Sequence, residues 1–187
     1  HAKSLADSKV NVYGMISLEM IGFFKDEKRS QSYPVRLLSL FYGNKGNYIT
    51  LVKKFGAGKF TRKFCKRFRS ANMIRTKTFT GPPALPGIDF SDHLNYWKFG
   101  YSAMMITDTA FYRNKNYHEA TDKMETLDLK RMAKVIDGVF ASEAAQKLFV
   151  TAKTVADIDP NGLGLPRPET FEERMTRLHN DANVLCL

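Results

Sequence analysis

The hydrophobic and polar positions divide the chain into alternating strand-like and helix-like stretches. Val12 to Ile21 is a mostly apolar run of strand length, and so is Ser102 to Thr107. Neither alternates, which predicts strands buried on both faces in the centre of a layered sheet. Asn47 to Val52 reads as another strand, and Gly56-Ala57-Gly58 punctuates its end. Met73 to Phe79 alternates as an edge or half-buried strand does. Between them, Lys59 to Ala71 sets Phe60, Phe64 and Phe68 at i, i+4 and i+8, one face of a helix. Leu127 to about Phe149 carries Leu129, Met132, Val135, Ile136, Val139 and Phe140 in the spacing of an amphipathic helix on a sheet. Ala2 to Lys9 reads as the end of a helix. Ser91 to Gly100 reads as a short one, with Ser91 as N-cap. A polar loop spans Lys25 to Pro34, with a loop or short helical turn from there to Gly46. A proline-rich loop spans Gly81 to Gly87, and a long aromatic loop spans Asp108 to Thr126.

Strands alternating with helices predict a layered α/β domain. Such folds place their sites in loops at strand ends. The segment after Ile21, the Ser91 region and the Asp108–Thr126 loop each flank a predicted strand and are candidates to converge on one edge.

Composition narrows the picture. At 187 residues, 43% of them apolar, the chain suits one soluble domain with a real core. The boundaries read as a domain over 1–150 and a tail over 151–187 with a short helix around Phe171, Met175 and Leu178. Two distant cysteines, Cys65 and Cys186, exclude a disulfide framework and a cysteine-rich zinc module, while one isolated disulfide stays open. No apolar run approaches the roughly 20 residues that cross a bilayer. The first residue is His1 and no signal peptide opens the chain, so its start reads as processed, trimmed or cut from something longer. The net charge of +10 favours acidic partners such as nucleic acid, an anionic membrane or acidic substrates.

Few residues offer chemistry. Glu19 lies near the end of a buried strand, and a buried carboxylate needs a partner: a basic side chain or a metal. His118 stands in the long loop after another buried strand, and imidazole is the commonest zinc ligand. Taken alone, His118, Asp92 and His93 are more often only solvated or hydrogen-bonded side chains. Cys65, beside Phe64 and Phe68, reads as packing. There is no nucleophile elbow, no phosphate-cradling glycine loop and no His-Glu-x-x-His pair.

Four segments taken in order resemble one family. They are Met15-Ile-Ser-Leu-Glu-Met-Ile-Gly22; Ser91-Asp-His93 with Trp97 and Gly100; Ala103-Met-Met-Ile-Thr-Asp-Thr109; and Tyr112-Arg-Asn-Lys-Asn-Tyr-His118, followed by Asp122 and Glu125-Thr-Leu-Asp128. Over about Ala2 to Ser142 their order and spacing resemble the C-terminal half of M28 zinc aminopeptidases, the bacterial leucyl type, with glutaminyl cyclases more distant. The resemblance implies a layered α/β/α sandwich with a mixed sheet, the zinc-peptidase (phosphorylase/hydrolase-like) fold, here incomplete. It implies that Glu19 ligates one of two zinc ions and His118 the other, and that Tyr117 stabilises the tetrahedral intermediate. Asp92 is implied as an acid near the site that is not a ligand. Arg113 is our own addition, as a substrate-contacting or supporting residue. The implied reaction is removal of the N-terminal residue of a peptide with a free N-terminus by zinc-activated hydroxide, and the implied setting is secreted or cell-envelope.

The chain departs from that pattern. The family also uses a His-x-Asp segment and a Glu-Glu pair that includes the general base. No histidine lies between His1 and His93, and Glu-Glu occurs only at Glu172-Glu173. One ligand per ion does not hold two zincs, since zinc takes three to four. The expectation is an inactive chain that lacks its general base, does not retain zinc, and has the missing N-terminal half of the domain as a partner. The sheet is expected to have about half the family's strands and an exposed apolar edge.

Two other readings stand beside this one. The first is a non-catalytic remnant acting as a binding module. The second is a surface for nucleic acid or anionic membrane, built on Lys53, Lys54, Lys59, Arg62, Lys63, Lys66, Arg67, Arg69, Arg75 and Lys77 around the phenylalanine stripe. The sequence favours a solvated basic face with no nucleic-acid role, because the aromatics fall on one core-facing stripe.

Overall fold

The computed structural model describes residues 1–142 and Leu185–Cys186. Five strands form one mixed sheet in the order β3-β2-β4-β1-β5: β1 (Met15–Glu19), β2 (Ile49–Lys54), β3 (Thr76–Gly81), β4 (Ala103–Thr107) and β5 (Leu185–Cys186). β1 pairs parallel with β4, β2 parallel with β3, and β2 antiparallel with β4. The helices are α1 (Ala2–Asp7), α2 (Leu38–Tyr42), α3 (Gly58–Ala71), α4 (His93–Lys98) and α5 (Leu129–Ala141).

Side-chain alternation in the strands sorts the helices into two layers. Ile16, Ile49, Leu51, Met104 and Ile106 form one core with Phe60, Phe64 and Phe68 of α3 and Val135 and Val139 of α5. Met15, Val52, Ala103 and Met105 form the other, with Ala2 of α1 and Tyr96 and Trp97 of α4. The layered α/β architecture is thus as expected, and all five residues of β4 are buried because a helix layer covers each face. The phenylalanine stripe lies wholly inside, each ring at most 3% exposed. β3 takes the sheet edge, half-buried along its length as its alternation predicts.

Three local details differ. The short helix opens at His93 with Asp92 at its N-cap position and no side-chain cap bond, because the Ser91 hydroxyl is engaged elsewhere. α5 begins at Leu129, where Asp128 caps it by accepting the Arg131 N–H at 2.9 Å. The expected helix beyond Ser142 and the one around Phe171, Met175 and Leu178 lie outside the described residues. The edge of β1 away from β4 is met at Met15 and Ile16 by β5, a strand the sequence did not reveal.

Candidate functional site

Because β1 and β4 are parallel and in register, with Glu19 opposite Thr107, both strands end on the same side of the sheet. Glu19 shares a strand face with Met15 and Ser17, the face that α4 covers. Ser91, just before α4, brings its hydroxyl to both residues: it donates to Glu19 Oε2 at 3.1 Å and is bonded to the Ser17 hydroxyl. The partner of Glu19 is therefore a serine, and no Lys or Arg among the described residues pairs with it.

Two of the expected site residues, Asp92 and His118, act electrostatically on a third, Glu19. Partial burial holds the Glu19 carboxyl above its usual range, and the Asp92 carboxylate reinforces this. The Ser91 hydrogen bond and the charge of His118 pull in the opposite sense. Tyr117 joins the group: its phenol is raised by burial and then by the charges of Glu19 and Asp122. Its ring lies 4.1 Å from that of His118, centre to centre, and 5.9 Å from Phe111. Glu19 and Tyr117 thus line one cavity at this end of the sheet, with His118 stacked on Tyr117 and Asp92 next to the serine that bonds Glu19.

The loop that carries Tyr117 and His118 is fastened at several points. Asp108, fully buried one residue past β4, accepts the Phe23 N–H at 2.7 Å and the Ala110 N–H at 3.0 Å, while its own N–H donates to the Met20 carbonyl. Burial pushes its carboxyl up to about 7, against the Arg113 charge and the N–H bonds from Phe23, Ala110 and Gly22. Asn114, also fully buried, donates to Asp122 at 2.9 Å and accepts from the Asn116 N–H at 3.0 Å, which brackets the turn around His118.

Arg113 points inward and is 6% exposed. Its Nε donates to Gln31 at 2.8 Å, its Nη1 donates to the Phe23 carbonyl at 3.1 Å, and its guanidinium stacks over Tyr48. That is a supporting position under the loop, not a surface that meets a ligand. Gln31 in turn donates to Thr109 at 2.8 Å. His93 is a core residue: fully buried, its Nε2 bonds the Ile88 carbonyl and its ring meets Trp97 edge-on.

Four non-glycine residues around this end have left-handed backbone: Met20 directly after Glu19, Thr109 and Ala110 after Asp108, and His118 itself. Such conformations cost about 1–3 kcal/mol each and persist where surrounding structure enforces them, commonly at functional sites. Here the Asp108 and Asn114 bonds do the enforcing.

A cavity of about 90 Å³ opens beside Glu19 and Tyr117. Its walls are chiefly apolar and aromatic, with Tyr42, Phe79, Met105, Phe111 and Tyr112 among them. At the ~10–15 Å³ that one water-sized probe needs, this is room for a single medium-sized side chain.

Sequence reasoning missed Asp108, Gln31 and Asn114. Asp108 carried a legible signal, an acid placed at the end of a fully buried strand of four apolar residues and a threonine. Gln31 and Asn114 carried none, since each matters through a partner about 80 or 8 residues away. Among the described residues no three His, Cys, Asp or Glu side chains come together as a metal-binding group. Cys65 is buried, and burial raises its thiol to about 11, as expected for a packing residue.

No family model matches the sequence. The chain is 42% identical over 125 residues to YfbL, an uncharacterised protein of Escherichia coli K12; the match covers 67% of this chain and 39% of YfbL. The chain therefore spans well under half the length of that relative. Among solved structures it is similar to the LapA aminopeptidase of Legionella pneumophila, with a TM-score of 0.49 and 16% identity over 75% of this chain and 34% of that one.

Proposed function

We propose that the chain contributes the substrate pocket and part of the catalytic constellation of an exopeptidase of the aminopeptidase type. The observation that carries this reading is the apolar cavity, sized for one side chain, that Glu19 and Tyr117 line at the shared end of β1 and β4, with His118 stacked on Tyr117 and Asp92 next to the serine that bonds Glu19. The resemblance of these segments to the M28 aminopeptidases, which first singled these residues out, supports it as well. In this reading the cavity holds the apolar side chain of the peptide's N-terminal residue. Tyr117, whose phenol stays protonated, donates a hydrogen bond to the oxyanion that forms at the scissile carbonyl. Asp92 sets the field at Glu19, and Arg113 holds the loop in place from beneath.

Zinc is the metal that the resemblance implies. The donors fit it only in part: Glu19 and His118 are suitable ligands, but the described residues do not assemble the three or four that zinc requires. No catalytic step is therefore assigned to a metal held by this chain alone. The remaining donors and the general base would come from the further part of a longer protein, in keeping with the 39% of YfbL that the match covers.

The test uses the native gene product purified from its source with zinc supplied. Hydrolysis of leucine p-nitroanilide is expected, with none of the N-acetylated substrate, and Glu19→Gln or His118→Asn should lower the rate roughly a hundredfold. A native product that carries both residues, folds, and cleaves neither substrate contradicts the proposal.

A further inference from the structure

The basic charge of this chain is not spread over it. From Lys28 to Ile88 there are fourteen Lys and Arg residues and no Asp or Glu. Outside that segment acids outnumber bases, so the segment alone generates the net charge of +10. Nine of the fourteen lie in β2, α3 and β3. The densest part is α3, which is 14 residues long and has no acidic residue. Its three phenylalanines are buried, which turns Lys59, Arg62, Lys66 and Arg69 to solvent. Among the described residues no carboxylate pairs with any of these four.

Two further side chains complete the surface. Phe55, in the turn that enters α3, is 67% exposed, and Met73, in the turn that leaves it, is 44% exposed. They stand at opposite ends of a helix about 21 Å long. Exposed apolar side chains thus stand at both ends of a basic helix face.

We propose that the outward face of α3 is a docking surface for an anionic lipid bilayer. The helix cannot insert, since its apolar stripe is committed to the core. It lies against the headgroups, held by Lys59, Arg62, Lys66 and Arg69, with Phe55 and Met73 entering the interface at either end. Charge complementarity selects an anionic partner. A bilayer fits better than nucleic acid because the face is a single outward-facing helix and its aromatic rings are turned inward, unavailable for stacking on bases. This inference does not depend on the peptidase reading.

The test is flotation of the full 187-residue chain with vesicles of phosphatidylcholine alone and of equal parts phosphatidylcholine and phosphatidylglycerol. The chain is expected to float with the anionic vesicles only and to be released as salt rises. Replacing Lys59, Arg62, Lys66 and Arg69 together by Gln should lower the partition at least about tenfold, given the contribution of each basic residue near a charged surface. The same number of substitutions at Lys98, Lys115, Lys123 and Lys130 should change it less than about twofold. Phe55→Ser with Met73→Ser should weaken it severalfold. The salt series on the wild-type chain reads the interaction without any variant. Absence of binding, equal loss from both quadruple variants, or a preference for a DNA oligonucleotide over anionic vesicles would each overturn the proposal.

Discussion

Asp108 Oδ2 accepts the backbone N–H of Phe23 at 2.7 Å, and this bond ties the end of β4 to the segment that follows β1. The two strand ends that carry the candidate site are thereby fixed to each other. The Tyr117–His118 loop and Glu19 owe their relative placement to a buried acid that is not itself in the site.

Asp108→Asn tests this clasp. The amide keeps one acceptor oxygen and turns an N–H donor toward the backbone N–H that the other oxygen accepted, which should cost about 1–3 kcal/mol near pH 4. The pH dependence has a definite sign. The folded-state carboxyl is raised from its ordinary range to about 7, so the folded chain binds more protons than the unfolded chain between about pH 4 and pH 7. The wild type's stability from this group is fully present at low pH and is lost as pH rises through that window. The Asn variant's deficit should therefore shrink between about pH 4 and 7 in urea melts. His93, lowered to about 4 by burial, has the opposite slope but is common to both proteins and cancels in the difference. A deficit that grows with pH would show that the ionised form is the one the clasp prefers.

Asn114→Ala addresses the turn that presents His118. It removes the bonds to Asp122 and to the Asn116 N–H from a fully buried position, at a cost of about 1–3 kcal/mol. Hydrogen exchange at residues 116–122 should accelerate more than at the α3 amides, because the loop opens locally. Equal acceleration in both places would assign Asn114 to global stability instead.

Gly138 of α5 faces the Phe68 ring of α3. A Cβ there would lie 2.8 Å from Phe68, a ring packed against Phe64 and only 2% exposed. Gly138→Ala gains about 1 kcal/mol of helix propensity but overpacks a ring that cannot move aside, at about 1–3 kcal/mol. A lowered melting temperature is the expected result, and a raised one would mean that the two helices sit farther apart.

The layers were readable in the sequence because burial on two faces leaves an unalternating strand and burial on one face leaves a stripe. Val12–Ile21, Ser102–Thr107 and the Phe60/Phe64/Phe68 series each show one of these. The start of α4 was misread because a serine before a helix is a cap only if its hydroxyl is free, and Ser91 is taken by Ser17 and Glu19. Arg113 is open in the sequence between a substrate-contacting and a supporting role, because a cation in a polar loop reads equally as either. Gln31, the Phe23 carbonyl and the Tyr48 ring, all distant in sequence, turn it inward. The convergence of the three site segments was foreseen from strand ends. The network beneath them was not, since side chain-to-backbone bonds leave no periodicity.

The most direct test of the site is the titration of the Glu19 carboxyl, followed by NMR in the wild type and in single variants. Glu19 is expected to titrate above the ordinary glutamate range. Ser91→Ala and His118→Asn should each raise it further, and Asp92→Asn should lower it, because these are the groups that act on it. A Glu19 that titrates normally and responds to neither His118 nor Asp92 would show that these residues do not form one site.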